Sequence, residues 1–420
     1  MGVRSVTICA GALLAACALV LVGHAGAAST VRYGIQDDAW LEHGPGTLES
    51  RVDTLKRLGV EVVRVNLEWY AVEPRRGELD WSRTDALLGA LRSRGIAPVI
   101  SLWGTPPWAN GGNPPSWVPA AGADFARFAG EAARRYPYVR RWVIWNEPNQ
   151  RRWLRPTSPA IYTAKLLNPA YAAIRAVSPA ALVAGGATAP RGGYLGVSPV
   201  DFVRAMGRAG AHLDAYAHHP YPLTRSETPW KGGCAHCSTI TMATLERLVD
   251  EVDRSFGRQV RIWLTEYGYQ TSPPDRTMGV PLAVQARYVA EAARRAHELP
   301  RVDLLIQYLF QDEPDPDRWQ SGLRTSDGRE KPSLRAAMLP LVQVRRTGTR
   351  TELWGQVRPG QGQRLYELQL FRGGVWQAVG GVSTTSVRGY LTRVVTAGKG
   401  GKLRLFSPGE GLTSPILVVR

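Results

Sequence analysis

Trp142-Val143-Ile144-Trp145-Asn146-Glu147-Pro148-Asn149 is the stretch on which the reading of this chain turns. Four apolar residues run without polar alternation, as in a strand buried on both faces, and then give way at once to an amide, a carboxyl and a proline. Val260-Arg261-Ile262-Trp263-Leu264-Thr265 ends in the same way on Glu266. Working outward, similar short runs occupy Val31–Ile35, Val60–Asn66, Ile96–Trp103, Ala181–Gly186, Leu213–His218 and Leu304–Phe310, making eight in all. Helical spacing of apolar residues fills Leu48–Leu58, Thr84–Arg94, Asp124–Tyr136, Ile161–Val177, Met242–Phe256 and Ala283–Leu299. Gly59 and Gly95 fall where helices end. Strand and helix alternating eight times across 29–340 predict an α/β fold, a closed (β/α)8 TIM barrel. A doubly wound open sheet competes, but it would carry a glycine-rich turn after its first strand, and Tyr33-Gly34-Ile35-Gln36-Asp37 has none.

After Pro340 the helical period disappears. Leu353–Val357, Leu365–Phe371, Val375–Val379, Val387–Val395, Lys402–Phe406 and Pro415–Val419 read as strands separated by glycine turns, so 341–420 is expected to form a small all-β sandwich domain. Gly355-Gln356-Val357-Arg358-Pro359 and Gly374-Val375-Trp376 resemble immunoglobulin- or fibronectin-like accessory modules. The chain's net charge is +17, and these last 80 residues hold 12 Lys and Arg against 3 Asp and Glu. A basic module of this kind favours an anionic cell-surface polymer as neighbour.

Residues 1–28 read as a signal peptide: a basic start, an apolar stretch from Val6 to Val22, then small residues around Ala25-Gly26-Ala27. Leu14-Ala15-Ala16-Cys17 is similar to a lipoprotein signal and leaves lipidation as the alternative. No other apolar run is long enough to span a bilayer, so the mature chain is expected to be secreted, extracellular or cell-surface associated, and monomeric by default. That compartment makes nucleic acid a poor partner. Cys234 and Cys237 then remain as the only cysteines and read as a local disulfide; a zinc site would need further ligands, and only His236 is near.

In a barrel, all strands deliver their C-terminal ends to one face, and the loops there build the site. Glu147 leaves the fourth strand and Glu266 the seventh. Two carboxyls on one rim, about 5–5.5 Å apart, are what hydrolysis of a glycosidic bond with retention requires. Glu147, beside neutral Asn146 and aromatic walls, is expected to stay protonated as the acid and later act as base. Glu266 is expected to be the ionised nucleophile.

Trp145-Asn146-Glu147-Pro148-Asn149 and Thr265-Glu266-Tyr267-Gly268 resemble the acid/base and nucleophile motifs of the retaining glycoside hydrolase clan A, nearest to families 5 and 39, and the likeness covers Val31–Pro340. The resemblance implies that Arg64 keeps the nucleophile ionised, that Asn146 binds the sugar 2-hydroxyl, and that His219 and Tyr221 are the pair whose tyrosine orients the nucleophile. Gly322-Leu323, Asp327-Gly328 and Lys331-Pro332 are similar to the usual passage from the eighth strand to the last helix. Family 5 members usually place a histidine where this chain has Trp103. Many clan members end strand eight on a tryptophan where this chain has Tyr308-Leu309-Phe310.

Eleven aromatic residues fall in or beside the expected rim loops: Trp40, Trp69, Tyr70, Trp103, Trp108, Trp117, Trp153, Trp230, Tyr267, Tyr269 and Trp319. Among them Trp103, Trp40, Tyr267 and Trp319 are the expected sugar platforms. Their number points to an oligo- or polysaccharide rather than a small glycoside. No metal or organic cofactor is required. The rival readings are a non-catalytic carbohydrate-binding protein and a surface adhesin acting through the basic sandwich.

Overall fold

A computed structural model describes Gly2 and residues 31–420 except 235 and 236. The expected signal peptide 1–28, the Leu14–Cys17 motif and His236 lie outside the described residues. Eight parallel strands close into a barrel: β1 Arg32–Gln36, β2 Val62–Glu68, β3 Ala97–Trp103, β4 Arg141–Ile144, β5 Leu182–Thr188, β6 Ala215–His218, β7 Arg261–Tyr267 and β8 Val302–Tyr308. Each lies where the sequence placed it, to within two or three residues. One connecting helix, Pro199–Arg208 between β5 and β6, was not anticipated. Proline at its N-terminus and Ser198, whose side chain accepts from the Asp201 N–H, are its start signals.

The strands lack polar alternation because both of their faces are buried. Val62, Val99, Val143, Ala184, Ala215, Ala217, Trp263, Leu304 and Ile306 pack inside the barrel. Val63, Val65, Ile100, Leu102, Trp142, Ile144, Ile262 and Leu264 pack outward against the helices. The alternation survives as direction rather than polarity. On β2 the inward phase that holds Val62 also carries Arg64 and Asn66, and on β3 that of Val99 carries Ser101 and Trp103.

After the helix Pro332–Met338 come two antiparallel sheets. One holds β9 Leu341–Thr347, β10 Arg350–Gln356 and β13 Tyr390–Thr396; the other holds β11 Leu365–Arg372, β12 Val375–Thr384, β14 Lys402–Ser407 and β15 Leu412–Thr413. A last short strand, β16 Leu417–Val418, pairs with β14. The first strand and β15 were missed in the sequence. Leu341–Thr347 turns exposed and basic after its first residues, which hides its alternation. Leu353, Tyr366, Leu368, Leu370, Leu391, Leu403 and Leu405 form the core between the sheets.

The sandwich seats on the N-terminal end of the barrel. Arg388 bridges to Glu61 at 3.2 and 3.3 Å and donates to the Val31 carbonyl at 3.0 Å. The Arg358 guanidinium lies 3.5 Å over the Tyr33 ring. His297 packs on Tyr390 and Trp354, and burial lowers its pKa to about 4, with Arg294 adding to the effect. Among the described residues no helix is long and apolar enough to cross a membrane.

Gly59 serves this seam twice. Its φ of +72° closes the preceding helix, and a Cβ there would meet the Pro359 nitrogen at 2.7 Å. Gly95 has a similar φ of +67° but meets only the Lys56 Nζ, at 3.8 Å. Gly95→Ala should therefore cost about 1–2 kcal/mol for the left-handed backbone alone. Gly59→Ala should cost about 1–3 kcal/mol more, because backbone rather than a mobile side chain must give way. Urea unfolding midpoints of the two variants check the ordering.

Candidate active site

Arg64 is fully buried at the inward phase of β2, and its guanidinium organises the C-terminal mouth of the barrel. Nη1 donates to Gln36 Oε1 at the end of β1 and to Glu266 Oε1 on β7. Nη2 donates to Ser101 Oγ at 3.0 Å and to Asn146 Oδ1 at 2.9 Å. A guanidinium only donates, so Asn146 must offer it the carbonyl oxygen, which leaves the amide N–H groups for the cleft.

Neither Asn146 nor Glu266 would face the cleft if its strand simply continued. Beyond Ile144, a regular strand would carry Trp145 inward and Asn146 outward. Trp145 instead takes φ 74° and packs in the outer layer against Phe125, while Glu147 takes φ 39°. Positive φ at a tryptophan and a glutamate costs about 1–3 kcal/mol each and is typical of functional sites. Hydrogen bonds hold this turn: Trp145 Nε1 to the Trp153 carbonyl at 2.8 Å, and the Glu147 N–H to the Ala187 carbonyl at 3.0 Å. Asn149 is buried and ties the loop to the carbonyls of Ala189, Arg191 and Val197. On β7 the register with β8 slips between Leu264 and Tyr267, which turns Glu266 inward and Tyr267 outward.

The two carboxyls meet at His219. Its Nδ1 lies 3.0 Å from Glu147 Oε1 and 3.6 Å from Glu266 Oε2. Tyr221 donates its hydroxyl to Glu266 Oε2 at 3.0 Å. Burial pushes the Glu266 carboxyl up, but the charges of His219 and Arg64 and the hydrogen bonds from Arg64 and Tyr221 outweigh it, and the net pKa lies below the ordinary glutamate value. Glu147, His219 and Glu266 are also the one group among the described residues whose ligand atoms, all within 4.8 Å, crowd closely enough for a metal. Both oxygens of Glu266 are already engaged by Arg64 and Tyr221, so the donor set suits a proton-handling pair better than a dication.

A cavity of about 440 Å³ opens above the pair, lined by Gln36, Asn66, Trp103, Asn146, Glu147 and Glu266, with Arg152, Trp153, Gln270, Tyr308, Glu313, Asp317, Arg318 and Trp319 around them. Trp103 and Trp153 meet edge to face at 5.3 Å; Trp319 lies 5.0 Å from Tyr221 and 5.4 Å from Tyr308. The loop carrying Trp319 is braced by buried Lys331, which donates to Asp312 Oδ1 at 2.7 Å, Thr271 Oγ1 at 2.9 Å and the Gln320 carbonyl at 3.2 Å.

Three of the eleven aromatics singled out in the sequence, Trp103, Trp153 and Trp319, line this cavity. Two expected platforms do not. Trp40 is 7% exposed because the helix Asp38–His43 turns it under the rim, 4.3 Å from Phe310. Tyr267 is 2% exposed because the β7 register slip sends it outward against Tyr269. Arg64, His219 and Tyr221 lie outside the cavity lining and hold the carboxyls, Arg64 and Tyr221 on Glu266 as the resemblance implied. His218 is a packed strand residue, its ring bonded to Thr188 and Ile240 and its pKa lowered to about 3 by burial. Cys234 and Cys237 are joined as a disulfide, Cα atoms 5.4 Å apart, in a loop outside the cleft lining.

A family model described as cellulase (glycosyl hydrolase family 5) matches residues 25–294, a span that contains both glutamates. The chain belongs to glycosyl hydrolase family 5. This member is accordingly a glycoside hydrolase of the retaining clan A. Among solved structures, it is similar to a family 39 glycoside hydrolase from Bacteroides cellulosilyticus, with a TM-score of 0.63 and 19% identity over 92% of this chain and 80% of that one. A family 39 enzyme from Xanthomonas axonopodis pv. citri gives 0.59 and 14%, covering 90% and 93%. A monomeric beta-xylosidase from Caulobacter crescentus gives 0.56 and 16%, covering 88% and 94%. These likenesses extend through the sandwich and bear on fold alone. Comparison with curated proteins finds no significant match.

Sequence reasoning passed over Gln36, Asn66, Arg152, Gln270, Glu313, Asp317 and Arg318 as lining residues of the hydrolase. Gln36 and Asn66 could have been found, since each lies in the inward phase at or near the end of a strand. Glu313, Asp317 and Arg318 belong to a loop whose path depends on Lys331, and no local pattern announces it.

The sign of the Glu266 shift yields a test. A carboxyl held lower in the fold than in the unfolded chain stabilises the fold above the ordinary glutamate range, and that contribution is lost as pH falls through the folded value. Tyr221→Phe removes one donor and should move the acid limb of kcat/KM up by about one pH unit. A pH–rate profile of the variant against the parent reads the shift.

Proposed function

We propose that this family 5 hydrolase is a retaining β-glycosidase acting on an oligo- or polysaccharide, with Glu147 as acid/base and Glu266 as nucleophile. The carrying observation is the position of His219 Nδ1 between the two carboxyls, 3.0 Å from one and 3.6 Å from the other. The ligand atoms of the three side chains all lie within 4.8 Å of one another, which agrees with the separation of about 5–5.5 Å used for retention rather than the 6.5–9.5 Å that leaves room for a water in inversion.

Glu147 gives its proton to the leaving glycosidic oxygen while a Glu266 oxygen attacks the anomeric carbon. The exocyclic C–O bond breaks, and a covalent glycosyl-enzyme forms. Glu147, now a carboxylate, takes a proton from water, and that water oxygen displaces Glu266 to release the sugar. Arg64 and Tyr221 steady Glu266 whenever it is free and charged. Asn146, oriented by Arg64, presents its N–H groups to a sugar hydroxyl beside the pair. Aromatic walls on two sides, Trp319 with Tyr308 and Trp103 with Trp153, support binding of sugar rings on both sides of the scissile bond. The apolar leader read in the sequence and the Cys234–Cys237 disulfide support secretion.

An activated 2-fluoro-glycoside should label Glu266 and no other residue, read by peptide mapping. Failure to trap an adduct with any sugar of a β-linked panel would leave a binding protein as the better account. Glu147→Ala should lower kcat about 10²- to 10⁴-fold on substrates with poor leaving groups. The loss should shrink on activated aryl glycosides and be relieved by azide, as measured by steady-state rates and product configuration.

A further inference from the structure

The sheet containing β11, β12 and β14 turns an aromatic and cationic face away from the sandwich core. Tyr366, Leu368 and Leu370 point into the core from β11, so Glu367, Gln369 and Phe371 point out. On β14, Leu403 and Leu405 face in, while Lys402, Arg404 and Phe406 share the outer face. Register sets Gln369 opposite Arg404 and Phe371 opposite Trp376. The Phe371 and Trp376 rings lie 5.2 Å apart. The Arg404 guanidinium lies 4.3 Å over Trp376, and Lys402 Nζ lies 5.7 Å over Phe371. Arg404 Nε donates to Gln369 Oε1 at 2.6 Å, and Gln369 Nε2 donates to Glu367 Oε1 at 2.5 Å, so the polar groups between the rings are already ordered.

Charge on this face is only partly offset, since Glu367 shares it but reaches Arg404 only through Gln369. Elsewhere in the sandwich, Arg345 pairs with Glu352, Arg364 with Glu410 and Arg388 with Glu61. Among the described residues, neither Lys402 nor Arg404 has a carboxylate within ion-pair distance; Arg404 Nε is taken by Gln369. The apolar surface beside them is open, with Phe371 38% exposed. Two rings tilted at 57° to each other, beside cations without ion-pair partners, match a polymer that offers apolar C–H faces and carboxylates in alternation.

We propose that this face binds an anionic polysaccharide, its sugar rings resting on Trp376 and Phe371 and its carboxylates meeting Lys402 and Arg404. Single-stranded nucleic acid would use the same two kinds of contact. The choice of a glycan rests on the hydrolase barrel to which the sandwich is joined. The site lies on a separate domain from the catalytic cleft, so it anchors the enzyme to a polymer without having to be the bond-cleaving site.

Binding of the full chain to immobilised polygalacturonate, read at equilibrium without turnover, tests this independently of the catalytic assignment. Trp376→Ala and Arg404→Gln should each weaken binding at least about tenfold, Trp376→Phe should retain most of it, and the methyl-esterified polymer should bind poorly. Arg350→Gln, which removes the same charge from β10 on the other sheet, should leave affinity unchanged. Thermal unfolding confirms that each variant is folded. Equal loss in Arg350→Gln, indifference to Trp376→Ala, or tighter binding to an oligothymidylate than to polygalacturonate would overturn the proposal.

Discussion

One buried guanidinium sets the geometry of this hydrolase. Arg64 carries a permanent charge where water does not reach, and removing such a charge from water costs several kcal/mol unless it is paired and hydrogen-bonded. The barrel meets that demand with acceptors from four other strand ends: Gln36, Ser101, Asn146 and Glu266. Each acceptor is fixed in return. The carboxylate is kept ionised, the amide is turned so that its donors face outward, and five strands are held in register at the functional end. An electrostatic requirement of the interior thus becomes the preorganisation that the chemistry needs.

Two local breaks in strand geometry deliver the groups to that charge. Positive φ at Trp145 and Glu147 lets two successive residues, Asn146 and Glu147, reach the same cleft, which a regular strand cannot do. The register slip after Leu264 rotates Glu266 inward at the expense of Tyr267. Both irregularities lie at the C-terminal ends of strands, where hydrogen bonding to neighbours is finishing and deviation is least disruptive to the barrel.

The two domains divide the surface between them. The cleft opens at the C-terminal mouth of the barrel, whereas the sandwich is locked to the opposite end through Glu61, Val31 and Tyr33. The sandwich therefore does not extend the cleft, and its excess of positive charge acts elsewhere. Part of that charge stands beside the Phe371 and Trp376 rings on one sheet.

Sequence alone determined the repeat of eight strands, and it pointed to a change of period near Pro340 and to a pair of glutamates, because each leaves a local trace: apolar runs between helical periods, a loss of helical spacing, and acidic residues placed directly after buried strands. It also placed Arg64 and Tyr221 beside Glu266 through motif likeness. It misjudged Trp40 and Tyr267, and it passed over Gln36, Asn66 and the loop held by Lys331. Direction decided those cases. Whether a rim aromatic faces sugar or core depends on a helix turn or a one-residue slip in register, and an inward polar residue looks like any other until the barrel closes. Closure brings together strands far apart in the chain, and only there do one charge, two carboxyls and an imidazole become a site.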